Sequence, residues 1–214
     1  MTYLEIVNKV LRLMREDTVG SVTAASDVVA ELVIDYVNDA KRLVEDAHSW
    51  NMLRFEEAFN TIPPSEYVVL TNLGKYARIE SIYRANGVAL KEANNKYMSY
   101  LKANNNNPSD PIYYTVNGTS NDNIRLKLHP TPDSTEALTV SGFKKQPDLA
   151  ADADVLLVPA QPVVYYAYAL AARERGEVGG QTAAEVLSLA GQYLTDAIAN
   201  DVALNQYDYD WYTV

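Results

Sequence analysis

Apolar residues recur at helical spacing near both ends of this chain and at alternate positions through its middle. That change of period confines the chain to a fold that mixes helices with a separate β segment. At the start, Tyr3, Val7, Val10, Leu11 and Met14 fall on one helical face. Thr2 and Glu5 have the spacing at which each side chain bonds the other's backbone N–H, so a helix opens there. It is expected to stop near Asp17, ahead of Gly20. A second helix is expected from Ser26 or Asp27 to about His48. Its stripe is Val28, Val29, Leu32, Val33, Tyr36, Val37, Ala40, Leu43, Val44 and Ala47, with Glu31, Asp35, Asp39 and Lys41 on the polar side.

Past Trp50 the pattern becomes alternating, and Pro63-Pro64 marks a break. Tyr67 to Leu70, Ile79 to Tyr83, Val88 to Lys91 and Ile112 to Val116 read as strands. So do the runs around Ile124, Leu126 and Leu128 and around Leu138, Val140 and Gly142. Asn86-Gly87 is the strongest hairpin signal, and Asn117-Gly118 is a second turn signal. Lys96 to Lys102 reads as a short helix, and Asn104 to Asn107 as a polar loop closed by Pro108 and Pro111.

Helical spacing returns after Pro162. Val163 to Ala172 is apolar on every side, which predicts a helix buried all round. Arg173 and Arg175 suit its C-terminal dipole, and Gly176 suits its cap. Thr182 and Glu185 repeat the capping spacing. Ala183, Val186, Leu187, Ala190, Leu194, Ala197, Ile198 and Val202 continue one face of a last helix. The fold class is therefore α+β. Residues 1–54 and 155–204 form a helical bundle, 55–154 an inserted small antiparallel β unit, and 205–214 an extended C-terminal tail.

Charge and composition narrow the function. The formal net charge is −10, and the lysines and arginines are scattered, with only Lys144-Lys145 and Lys41-Arg42 adjacent. Specific DNA binding through phosphates calls for a basic patch. There is no cysteine, so disulfides and cysteine-ligated zinc are excluded. No apolar run has the length of a membrane span, and the acidic start does not have the pattern of a signal peptide. Sixteen tyrosines stand against three phenylalanines, a balance that suits partly wet interfaces.

No residue pattern selects catalysis. His48 and His129 are the only histidines, and neither lies in a nucleophile motif. Asp152 and Asp154, like Asp208 and Asp210, lack the further oxygen ligands and offset glycine of a calcium loop. Gly176, Gly179 and Gly180 read as the turn of a helical hairpin, since no Gly-Lys-Ser/Thr follows them. No catalytic, cofactor or metal residue is assigned. In the tail, Tyr207, Tyr209 and Trp211 alternate with Asp208 and Asp210, and Tyr212 follows. This is the period of an extended strand with aromatics on one side, and these residue types are enriched at binding hot spots. Tyr207, Tyr209, Trp211 and Tyr212 are the candidate partner-binding residues.

The order of elements, with Val37-Asn38-Asp39-Ala40-Lys41 ahead of Trp50, Ala171-Ala172-Arg173-Glu174-Arg175-Gly176-Glu177, and Ala197-Ile198-Ala199-Asn200-Asp201 before the tail, resembles the head-to-tail adaptors of tailed bacteriophages, including the tail tubular protein A group. The resemblance implies a structural virion protein at the capsid vertex, neck or tail, made in the host cytoplasm. It implies a homo-oligomeric ring, typically twelve-fold, joining the portal to the tail nozzle or tail tube. DNA would pass through without specific binding, no membrane would be involved, and the C-terminal tail would reach toward the portal. Two other readings remain open on the residues alone. One is a phage-associated cell-wall glycosidase, which needs two convergent carboxylates in a cleft. The other is a carbohydrate-binding module, which needs a row of coplanar rings on a sheet face.

Overall fold

The computed structural model describes residues 1–105, 107–174 and 181–204. The chain divides into two units, one of Met1–Met52 with Gln146–Val214 and one of Leu53–Lys145. The fold class is α+β, with five helices and two small sheets among the described residues.

In the helical unit, α1 spans Tyr3–Leu13 and opens as its capping spacing predicts. The Glu5 N–H donates to Thr2 Oγ1 at 3.3 Å, and the Thr2 N–H donates to Glu5 Oε2 at 2.9 Å. Tyr3, Ile6, Val7, Val10 and Leu11 are buried. The helix ends at Leu13 and not near Asp17. Arg15 takes φ 60°, its N–H donates to the Arg12 carbonyl, and the Glu16 N–H turns back to the Leu11 carbonyl at 2.9 Å. This is a left-handed helix stop built on arginine where glycine is usual, so no glycine announces it.

Helix α2 spans Val28–Ala47. The Ala30 N–H donates to the Asp27 carboxylate, which caps the start. Ala30, Val33, Val37, Ala40 and Val44 form its inner face, while Val28, Leu32 and Leu43 are exposed. The buried stripe is thus narrower than the apolar sequence stripe. Lys41, expected on the polar side, is only 1% exposed. Trp50 follows the helix, is buried, and donates its Nε1–H to the Val44 carbonyl at 2.7 Å.

Helix α4 spans Ala160–Glu174, and no residue from Pro162 to Ala172 is exposed. It packs on α1, α2 and α5, which accounts for its apolar faces on all sides. Helix α5 spans Gln181–Leu204. Ala190 and Asp201 are its buried residues, whereas Leu187 and Val202, placed on its apolar face by spacing, are about half exposed. Arg175, the expected cap at Gly176 and the Thr182 side chain lie outside the described residues.

The β unit holds two sheets. One has the order β1 (Arg54–Asn60), β7 (Ala137–Phe143), β3 (Arg78–Arg84), all antiparallel. The other has the order β2 (Tyr67–Val69), β6 (Asn123–His129), β5 (Tyr113–Ser120), β4 (Lys91–Glu92). Here β4 runs parallel to β5 and the other pairs are antiparallel. Phe55, Phe59, Val68, Ile82, Tyr114, Leu126, Leu128, Leu138 and Val140 meet in one core between them. Asn86-Gly87 does turn the chain, with Gly87 at φ 80° and the Arg84 N–H bonded to the Val88 carbonyl. Asn117-Gly118 does not. It forms a bulge inside β5, with Gly118 at φ 72°. The turn lies at Asn121-Asp122, whose φ values of 48° and 58° match the twist of the flanking strands. Helix α3 spans Asn95–Asn104, capped by Asn94, where a short helix is expected.

Candidate functional site

Tyr207, Tyr209, Trp211 and Tyr212, the candidate partner-binding residues, lie outside the described residues, as do Asp208 and Asp210. The structure does describe the helix that precedes them in the chain, α5. Asp201, three residues before the helix ends at Leu204, is buried. His48 Nε2 lies 3.1 Å from Asp201 Oδ2, and the Asn51 N–H donates to the same oxygen at 3.2 Å. Asn51 Nδ2 donates to the Asp201 carbonyl at 3.2 Å. The His48 ring meets Trp50 edge-on, with centroids 5.0 Å apart. The segment after α2 therefore grips the last turns of α5, while Val202 and Leu204 remain exposed. Sequence spacing gives Asp201 no special place, because a helical aspartate near a C-terminus reads as a solvated residue.

A second polar centre joins α2 to the segment that follows the β unit. Lys41 Nζ donates to Glu45 Oε1 at 3.3 Å and to the Gln146 carbonyl at 2.7 Å, and lies 3.7 Å from Asp148. Arg42 donates to Asp148 and to Asp39. The Arg42 hydrogen bond holds the Asp148 pKa below the ordinary carboxylate value against some desolvation, with the Arg42 and Lys41 charges helping. Asn38 Nδ2 donates to the Leu149 carbonyl and to the Tyr3 hydroxyl, each at 3.0 Å. These contacts lock the chain's return from the β unit onto the helices.

The Asp152 and Asp154 pair works in the same fastening. Asp152 Oδ1 accepts from the Val22 N–H. Asp154 Oδ2 accepts from the Ala150 and Ala151 N–H groups at 2.7 and 2.8 Å, which lowers its pKa. Both carboxylates cap backbone, as loop residues do. Among the described residues no group of three or more acids and histidines could hold a metal.

In the β unit, a cleft of about 350 Å³ is lined by Pro64, Glu66, Lys102, Pro108 and Thr131. Burial opposes ionisation of Glu66, but the Lys102 hydrogen bond at 2.9 Å and the Lys127 charge bring its pKa below the ordinary value. A carboxylate so held does not serve as a general acid near neutrality. Burial pushes the His129 pKa down, with Lys127 and Lys102 adding to it and Glu66 opposing. Tyr97 and Tyr100 stack at 6.2 Å on α3, and Tyr113 meets Tyr97 edge-on. These rings lie on a helix and across it, unlike a coplanar row on a sheet face.

Tyr76 is 68% exposed, with Lys75 Nζ 5.4 Å and Lys145 Nζ 5.1 Å from its ring centroid. Lysines far apart in sequence are thus gathered on one ring. Charge is also divided unevenly between the units. The β unit has eleven lysines and arginines against nine acids, a net of +2. The helical unit has seven against nineteen, a net of −12. The acidity of the chain is an acidity of its helical unit.

The family model described as SU10 adaptor protein matches residues 1–212. The chain belongs to that family, a family of phage head-to-tail adaptors and structural virion proteins whose place is the neck of the virion. No curated protein matches the chain. Among the described residues no helix is long and apolar enough to cross a membrane.

Proposed function

We propose that this adaptor forms a closed ring, twelve-fold as the resemblance implies, that joins the portal to the tail nozzle or tail tube and lets DNA pass. The family match over residues 1–212 carries the reading. Rings arise when two different faces of one subunit meet, and the acidic helical unit and the mildly basic β unit supply two unlike faces. The role is structural and has no catalytic step.

In this reading residues 205–214 attach to the portal. Tyr207, Tyr209, Trp211 and Tyr212 are the large apolar groups beyond Leu204, and they must return more than the ordering entropy of the segment. The bonds of Asp201 to His48 and Asn51 fix the helix from which this segment departs. The test is deletion of 205–214. The truncated protein is expected to stay folded and to lose co-sedimentation with portal, with Trp211→Ala giving a partial loss. Normal joining of heads and tails by the truncated protein would sink the assignment. DNA is expected to pass without a specific complex, because a net charge of −10 repels phosphate. Tight duplex binding with a steep salt dependence would count against this.

A further inference from the structure

We infer that the Tyr76 corner of the β unit docks on the outward face of α2 in a second copy of this chain. The inference rests on the ring reading above and names the two faces that meet.

Three observations carry it. The first is the corner itself. Tyr76 presents an exposed ring flanked by the ammonium groups of Lys75 and Lys145. The ring offers apolar area and the lysines offer positive charge, so its partner must be both apolar and acidic. The second is α2. Val28, Glu31, Leu32 and Asp35 stand at i, i+3, i+4 and i+7, and all four are exposed. They form one helical stripe of alternating apolar and acidic side chains. Val28, at 68% exposed, is a large apolar residue left open beside the N-terminus of a well-capped helix.

The third is charge. The two faces lie in units of net +2 and −12, so opposite signs meet when the β unit of one copy faces the helical unit of the next. The same arrangement disfavours helical unit against helical unit, where like charges would oppose. The contact is heterologous, which a ring requires and a two-fold dimer does not. Duplex DNA is the competing partner for lysines on an exposed ring. It fits less well, because a phosphate backbone offers no apolar area to the exposed Tyr76 ring, whereas the Lys75–Asp122 pair at 3.1 Å lowers the corner's charge toward either partner alike.

The chain contains no cysteine, which makes disulfide trapping clean. Full-length Tyr76→Cys and Leu32→Cys proteins, carrying different tags, are mixed at high concentration with portal and mildly oxidised. The mixed disulfide is expected to exceed that of a Thr119→Cys and Leu32→Cys control pair by about tenfold. Adding Lys75→Glu and Lys145→Glu to the first protein should reduce trapping to the control level. Adding Glu31→Lys and Asp35→Lys to the second should then restore it.

Trapping at the control level while electron microscopy shows rings overturns this contact and leaves the ring reading standing. Trapping without rings supports the contact and overturns the ring. Absence of both overturns both. A gel shift of duplex that is lost on Lys75→Glu and Lys145→Glu, with trapping at the control level, assigns the corner to nucleic acid and overturns the proposal.

Discussion

His48 Nε2 and Asp201 Oδ2 lie 3.1 Å apart although 153 positions separate them in the chain. The pair fastens the end of α2 to the last turns of α5, and the Asn51 N–H shares the same carboxylate oxygen. Asp201 is largely buried, so its removal leaves donors without an acceptor and not merely one bond fewer. Asp201→Ala is expected to cost about 2 kcal/mol. Amide hydrogen exchange should localise the loss, with residues 195–204 exchanging faster and the strands of the β unit unchanged. Equal protection in both proteins at α5 would show that packing on α4 alone holds the helix.

Lys41 is buried against Glu45 and the Gln146 carbonyl. Replacing the lysine alone takes the countercharge from the buried Glu45 carboxylate, which still accepts from the Gln146 N–H. Replacing both partners with apolar residues removes that penalty. Lys41→Ala is expected to destabilise the helical unit by about 3–5 kcal/mol. Lys41→Met combined with Glu45→Met should recover much of that loss in chemical denaturation. A double variant as unstable as Lys41→Ala would place the energy in the Gln146 contact.

These centres mark the limit of what the residues alone disclose. Periodicity located α1, α2, α4 and α5, because packing one or all faces of a helix leaves a pattern in sequence. The cap at Thr2 is legible for the same reason, since its partner lies three positions away, while the start of α2 is narrowed only to Ser26 or Asp27. Spacing alone puts Lys41 on the polar side, because its burial depends on Gln146, 105 positions away. Asn117-Gly118 reads as a turn but is a bulge, because a glycine at positive φ serves a bulge as well as a hairpin, and the true turn at Asn121-Asp122 carries no glycine. Of the proposed interaction surfaces, the aromatic tail is a reading of sequence alone and lies outside the described residues. The Tyr76 corner is not legible in sequence, since Lys75 and Lys145 come together only through folding.

Gly142 lies in β7 opposite Ile79, next to the irregularity in β3. A Cβ built at this position would stand 2.0 Å from the Arg78 carbonyl oxygen. The obstacle is backbone, so a rotamer change cannot relieve it. Gly142→Ala is expected to cost about 2 kcal/mol or more by forcing β3 and β7 apart. Gly20→Ala, where nothing lies within 4 Å, is the matched control and should change the melting temperature little. Equal melting of the two variants would show that the β3 irregularity absorbs the extra atom.

Stability should fall at both ends of the pH range, for separable reasons. Glu66, Asp148 and Asp154 have pKa values below their ordinary ones, and burial lowers that of His129 below 6.5. Each binds fewer protons folded than unfolded, so the stability it contributes is present above the unfolded pKa and is lost on acidification. The His129 share should begin to go as pH drops below about 6.5, and the carboxylate shares below about pH 4. His129→Asn should flatten only the first of these. At the alkaline end, burial, with Asp35 and Asp148 adding, pushes the Tyr3 pKa up from 10.0 to about 12. Its hydroxyl donates to the Ile34 carbonyl and accepts from Asn38. The folded state therefore keeps a proton that the unfolded chain releases, and stability falls as pH rises through this window. Tyr3→Phe loses those bonds, so it should be less stable near neutrality. Its stability should also decline less steeply than wild type between pH 10.0 and about 12. Denaturant midpoints measured across that range would decide it, and parallel curves would mean that the lysine ion pairs alone set the alkaline limb.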